Sequence, residues 1–343
     1  MNRFLLPLLV GCLGNDPDAH SYAAGSDPAD DPWTNPTWPD TTETTFQPDI
    51  CAYGHEVRSD DEVEALAVCT VIDGTLDVGG DVTTLSPLVN LTAIHGALHI
   101  QNSAIAHLSG LNNLAEVTSV SIDYNEVLQD IDGLNGLISV PQKVIVGHNP
   151  ALVDALGFVA LESVHGWFGI HDNDRLTVVA GFSRLTEVGD LSVMSNDALV
   201  DASGLSGLHT VTADASFTQL DDLGAQGFAG LEAVWGDLEF SWNDVTDMAG
   251  FSALQSVNGE LRIDYNVDLE HLDDLAALRK VGGTVVVEQN VSLTDVSGLG
   301  GLETLGGILL FADNPQLCDG DAEDLAAQLG VVVVAQWNRD CLQ

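Results

Sequence analysis

The chain has very little positive charge. Of its 343 residues nine are Lys or Arg, against 52 Asp and Glu, for a formal net charge of −43 at pH 7. Only Lys143 and Lys280 are lysines. Nucleic-acid backbones are held by clustered Lys and Arg, and anionic lipid surfaces attract basic patches. Neither class of partner is expected here. The acidic balance instead describes a solvated, self-repelling surface, suited to a salty medium in which screening removes the repulsion. Loose calcium binding by some of the acids is the other use for it. Long apolar runs are also missing. The apolar run at the N-terminus, Phe4 to Val10, is too short to span a membrane.

Catalytic signatures are equally scarce. The chain has no HExxH, no GxSxG and no phosphate-binding glycine loop. No CxxC or Cys/His metal spacing occurs among the five cysteines. The acidic runs His171-Asp172-Asn173-Asp174 and Asp319-Gly320-Asp321 do not match an EF-hand loop. No catalytic residue, metal site or cofactor is therefore expected.

What is present is one phrase, repeated. Apolar residues make up 45% and charged residues 18%, enough to bury a core. Between Gly74 and Leu317 the pattern Gly-x-Leu-x-Ile-x-x-Asn-x-x-Leu recurs about ten times, as in Gly259 onward. Its fixed point is asparagine: Asn102, Asn125, Asn149, Asn173, Asn196, Asn243, Asn266, Asn290 and Asn314 stand 23 or 24 residues apart, with one gap of 47. A period in the twenties held this long signals a solenoid, whose core grows lengthwise because each coil touches only its neighbours.

Within each coil the Leu-x-Ile alternation predicts a strand with those residues inward. Successive coils then pair as parallel strands. A Gly-[Leu/Phe] column follows, then Leu and Val at steps of three, such as Leu137 and Val140 or Leu161 and Val164. The spacing of three predicts a 3₁₀-like turn with these residues along one edge. The glycines fit a corner that needs positive φ or has no room for Cβ. The asparagines are read as satisfying backbone groups where the chain leaves the sheet. One coil departs from the rule: Phe217 falls in the asparagine slot, and Asp221 to Gln226 hold about two extra residues.

The remaining segments frame the repeats. Residues 1–12, with Arg3 before the apolar run, read as a signal peptide. Residues 13–49, rich in Asp, Pro and Thr, cannot bury a core and read as a disordered tether. Residues 50–73 form an N-terminal cap with a helix from Asp60 to Cys69, and 74–317 form the solenoid. Residues 318–343 form a C-terminal cap, with a helix over Ala322–Leu329 and a last strand over Val331–Val334. Four cysteines bracket the caps and allow three pairings. Cys51–Cys69 with Cys318–Cys341 would pin each end locally, each loop giving roughly 3 kcal/mol, and disulfides imply an oxidising compartment.

Two resemblances follow. Leu9-Val10-Gly11-Cys12 resembles a bacterial lipobox. That resemblance implies a lipidated Cys12 as the mature N-terminus and, with Leu13 rather than Asp after it, an outer-membrane or cell-surface address. The Asn-centred repeat, the Gly-Leu-x-x-Leu-x-x-Val turn and the cysteine-bracketed ends resemble receptor L domains and related repeats of bacterial surface lipoproteins. That resemblance covers roughly Cys51 to Cys341. It implies a mainly β, right-handed parallel β-solenoid, leucine-rich-repeat-like, of ten or eleven coils, and a role in binding or scaffolding without carrying over any catalytic residue. Either one long solenoid or two units fused near Phe217 would satisfy the coil count.

The position before each asparagine should face outward, and it carries Tyr124, His148, Asp172, Trp242 and Tyr265. Exposed aromatics beside acids suit recognition, so these five residues are the candidate ligand-binding face for a protein or glycan. His99, His148, His165 and His171 approach one another across coils, but no Cys joins them and no zinc site is read from the spacing. The competing functions are a β-helix carbohydrate-active enzyme, which would place carboxylates on an exposed sheet, and a purely structural surface coat. Uniform coils without long side loops count against the enzyme.

Overall fold

The computed structural model describes residues 50–220, 227–336 and 338. The expected leader with Cys12, the tether and Cys341 lie outside them. No helix among the described residues is long and apolar enough to cross a membrane.

The period-2 alternation becomes one strand per coil. Eleven parallel strands follow one another: Leu76–Gly80, Ala93–Ser103, Glu116–Asp123, Val144–Gly147, Phe168–His171, Leu191–Met194, Ala215–Thr218, Leu238–Ser241, Leu261–Asp264, Val285–Glu288 and Leu309–Ala312. Their register keeps like with like. Ile122 pairs with Val146, and Ile170 pairs with both Val146 and Val193. The inward residues Val146, Ile170, Phe240 and Ile263 have no exposure and join one continuous core. Nothing interrupts the ladder near Phe217, since Ala215–Thr218 pairs with Leu191–Met194 on one side and Leu238–Ser241 on the other. The chain is one leucine-rich-repeat-like β-solenoid rather than two fused units.

The Val column differs from expectation. 3₁₀ turns do form, at Ser203–Leu205, Ala249–Phe251, Asp273–Leu275 and Ser297–Gly301. They end at or just after the Gly-[Leu/Phe] column. From Val140 onward the column instead belongs to a second parallel sheet of eight two-residue strands, from Ser139–Val140 to Thr304–Leu305. After the turn closes, as with Leu208 N–H to Leu205 O at 3.0 Å, β-branched Val favours extended backbone. The step of three therefore spans a corner and a strand, not one edge of a helix. A third, two-stranded ladder joins Asp154–Ala155 to Val178–Val179.

Crowding rather than φ selects most corner glycines. Gly110 and Gly133 have φ of 119° and 146°. Gly157 does not adopt positive φ, but a Cβ there would lie 1.8 Å from Ile131 O.

Both ends are covered. The N-terminal helix is shorter than expected, Asp60–Ala65, with Asp60, Asp61 and Glu62 in its first turn, where the helix dipole favours acids. Val63 from this helix is fully buried. Cys51 and Cys69 form a disulfide with Cα atoms 5.7 Å apart. At the other end the helix spans Asp319–Leu329, three residues longer at its start than expected. Gly330 terminates it at φ 68°, and Val331 N–H bonds Ala326 O at 3.1 Å. This cap holds Val331 back, so the last strand is Val333–Gln336, paired with Leu309–Ala312. Cys318 is disulfide-bonded.

Candidate recognition face

The face is positioned by the asparagine seam behind it. Asn125, Asn149, Asn173, Asn196, Asn243, Asn266, Asn290 and Asn314 have no exposure. Asn149 shows the bonding. Its Oδ1 accepts from Asn125 N–H at 3.1 Å, and its Nδ2 donates to Ile122 O at 3.0 Å and Gly147 O at 2.7 Å. Each side chain thus ties the turn of one coil to the strand of the coil before it. A buried amide that meets all its bonding groups fixes geometry, because leaving any of them unpaired is costly.

Three positions correct the sequence reading of the seam. Asn102 is not part of it. It is exposed and left-handed, with φ 49°, and Ser103 takes the slot, bonding Asn125 Oδ1 through its N–H at 3.1 Å and its Oγ at 2.7 Å. Ile100 and Gln101 pair in register with Ile122 and Asp123, so the residue opposite Asn125 is Ser103, three after Ile100. Phe217 is not in the asparagine slot either. It is an inward strand residue opposite Phe240, and the slot belongs to Leu220, whose N–H bonds Asn243 Oδ1 at 3.1 Å. Leu220 offers no donor or acceptor of its own, so the seam is interrupted there. At the far end the seam continues one step beyond Asn314, to Asn338, whose Oδ1 accepts from Asn314 N–H at 3.1 Å.

The residue before the seam position turns left-handed in coil after coil. Tyr124, His148, Asp172, Ser195, Gln219, Trp242, Tyr265, Gln289 and Asp313 have φ between 50° and 60° or, for His148, 49°. Such φ values are uncommon for non-glycine residues. Here each N–H is held by the next strand's last carbonyl, as in His148 N–H to His171 O at 3.1 Å and Trp242 N–H to Asp264 O at 3.1 Å. The conformation ends the strand and aims the side chain off the sheet. Side chains in this column stack at the spacing of the coils.

The five predicted residues do lie in this column, but they form two clusters. In the first, the Tyr124 and His148 rings stack with centroids 4.2 Å apart and planes 17° apart. His148 Nδ1 is 2.9 Å from Asp123 Oδ1, and its Nε2 is 3.4 Å from Asp172 Oδ2. His171, from the adjoining strand, places Nδ1 3.1 Å from the same Asp172 oxygen. Trp167 lies parallel to His171, with centroids 6.2 Å apart. In the second cluster Trp242 and Tyr265 stack at 4.0 Å and 5°, and Trp242 is 57% exposed. Beside them Arg262 bonds Glu260 at 2.7 Å and Asp264 at 3.2 Å. Burial alone would lower the Arg262 pKa, but its bonds to Asp264 and Glu260 push it above the usual value. A shallow groove lined by Thr218, Gln219 and Trp242 adjoins the pair. Between the clusters the column is small and polar, with Ser195 Oγ donating to Gln219 Oε1 at 2.8 Å.

Of the four histidines, only His148 and His171 meet, with centroids 5.1 Å apart. His99 instead bonds Asp77 at 2.7 Å, and His165 follows the second-sheet strand Ser163–Val164. Trp167, Asp123 and Arg262 were not among the residues predicted for the site. One sequence signal was available for the first cluster: Gly147 and Gly169 occupy outward strand positions on adjacent coils, which leaves room for large neighbours.

No family model matches the chain, and no curated protein is similar to it at a significant level. Among solved structures, an internalin from Listeria monocytogenes is 19% identical with a TM-score of 0.39, over 84% of this chain and 81% of that one. The TLR13–ssRNA13 complex is 14% identical with a TM-score of 0.36, over 84% of this chain and 50% of that one.

Proposed function

We propose that this protein is a non-enzymatic recognition protein, exported and anchored at the outer membrane or cell surface through Cys12, whose left-handed column presents a sheet face to a protein or glycan ligand. The observation that carries the reading is the stacked pair of exposed Trp242 and half-buried Tyr265. Aromatic surface of this kind, held on a rigid ladder and rimmed by Arg262 and its acids, offers large contact area with little ordering cost. The described coils are near-uniform, each a strand followed by its corner turns, a plan that supports an extended contact face.

The test combines a glycan array with capture of surface proteins by the full-length chain, alongside its Trp242→Ala and Tyr265→Ala variants. Loss of a central aromatic anchor costs about 2 kcal/mol, or roughly 30-fold in affinity. Captured ligand bound equally by both variants sinks the proposed face, and turnover in a parallel glycan-hydrolysis screen sinks the non-enzymatic reading. Radioactive palmitate incorporation that survives Cys12→Ser sinks the anchor.

A further inference from the structure

We infer that His148, His171 and Asp172 bind a divalent transition-metal ion of the zinc, nickel and copper group. Among the described residues, one ligand atom from each of these three side chains lies within 4.8 Å of the others. The Asp172 Oδ2 atom is 3.4 Å from His148 Nε2 and 3.1 Å from His171 Nδ1. Donors held about 2.0–2.1 Å from a tetrahedral zinc stand ~3.3 Å apart, so small side-chain adjustments complete the set.

The hydrogen bonding around the cluster has a gap that a cation fills. His148 Nδ1 faces Asp123 Oδ1 at 2.9 Å. With its proton there, the neutral ring turns a lone pair on Nε2 toward Asp172, itself an acceptor. His171 Nδ1 faces the same carboxylate oxygen. The neutral Nδ1–H tautomer of His171 meets that contact by itself, so the unmet pair is His148 Nε2 with Asp172, and a metal ion held by all three groups relieves it. Asp123 then serves as the outer carboxylate that orients a metal-bound histidine.

The donors are also set in place beforehand. Tyr124 covers one face of His148, and Trp167 lies along His171. The His171 ring sits over Gly147, where a Cβ would come within 2.2 Å of its Cε1, and its side chain is 11% exposed. The N–H groups of His148 and Asp172 are fixed by ladder bonds of 3.1 and 3.2 Å. Two imidazoles select a transition metal over calcium or magnesium, which take oxygen donors. The three donors leave a position on the solvent side for water or for a donor from a bound partner. The net charge of −43 raises the local cation concentration around the whole surface.

The test uses metal-stripped full-length protein titrated with zinc in excess magnesium, which occupies weak acidic sites. One saturable zinc site per chain is expected. His148→Ala and His171→Ala should each weaken it at least tenfold, and Asp123→Asn by about tenfold. Gly147→Ala should weaken it as well, by displacing the His171 ring. Copper-loaded wild-type protein should show nitrogen hyperfine coupling from two imidazoles in its electron paramagnetic resonance spectrum, a readout that does not depend on any variant folding. The absence of a saturable site overturns the proposal, as does an oxygen-only copper spectrum. Equal zinc binding by the folded double variant His148→Ala/His171→Ala overturns it too and assigns the binding to surface acids.

Discussion

At the scale of residues, the seam asparagine ties each coil to its neighbours through buried hydrogen bonds. Asn149 accepts from Asn125 N–H and donates to Ile122 O and Gly147 O. Replacing it by Leu keeps the number of side-chain heavy atoms but leaves those buried groups unpaired. Asn149→Leu is therefore expected to cost about 3 kcal/mol in urea unfolding. Leu220 occupies the same slot naturally, and Leu220→Asn gives Asn196 N–H an acceptor in exchange for lost apolar burial. That variant should change stability by less than about 1 kcal/mol. Equal losses at 149 and 220 would mean that the seam contributes by volume alone. The neighbouring left-handed residue is the seam's functional counterpart. It takes an unfavourable φ, held by one ladder bond, and its side chain gains exposure and a stacking partner in return.

At the scale of elements, the coil is defined by its corners. Leu and Val at steps of three look helical in sequence, yet the turn lasts about one residue triplet before Val enters the second sheet. β-Branched stiffness and the pull of neighbouring coils outweigh the local period. The glycine corner works by close approach. At Gly157→Ala the added methyl meets the backbone oxygen of Ile131 at 1.8 Å, and backbone cannot swing aside as a side chain can. A loss of at least ~3 kcal/mol is expected, read as a lowered thermal midpoint. A midpoint within a degree of wild type would show that the corner is loose enough to accept Cβ. Gly147 is the opposite case, because there the obstacle is the end of the His171 ring, and the expected effect falls on the metal site rather than on stability.

At the scale of the whole molecule, charge and end-capping dominate. Repulsion among the acids opposes the compact state, and the Debye length shrinks to roughly 3 Å at 1 M salt. Raising sodium chloride from 0.05 M to 1 M should therefore stabilise the protein by about 1–2 kcal/mol, raising the thermal midpoint by roughly 3 °C or more. A midpoint that falls or stays level over this range would show that the surface acids are already neutralised by partners. The ends need separate closure because the terminal coils have a neighbour on one side only. The Asp60–Ala65 helix with its nearby disulfide and the Asp319–Leu329 helix cover them.

The repeat, its period, the inward strand residues and the outward column were legible in the sequence. They depend on spacing along the chain, which a solenoid copies directly into space. The seam's two offsets are written in the spacing rather than in the residue type: Ser103 and Leu220 stand three residues after the inward Ile100 and Phe217, as Asn125 stands after Ile122, while the asparagine column alone misplaces them. The second sheet was hidden for a different reason: two residues per coil become a strand only when the coils above and below supply partners. The division of the column into two clusters was likewise a tertiary outcome. The sequence determined which residues share the face. Only the folded stack decided that His171 leans over Gly147 to meet His148 and Asp172, since that depends on a ring filling the space left by a glycine on the preceding coil.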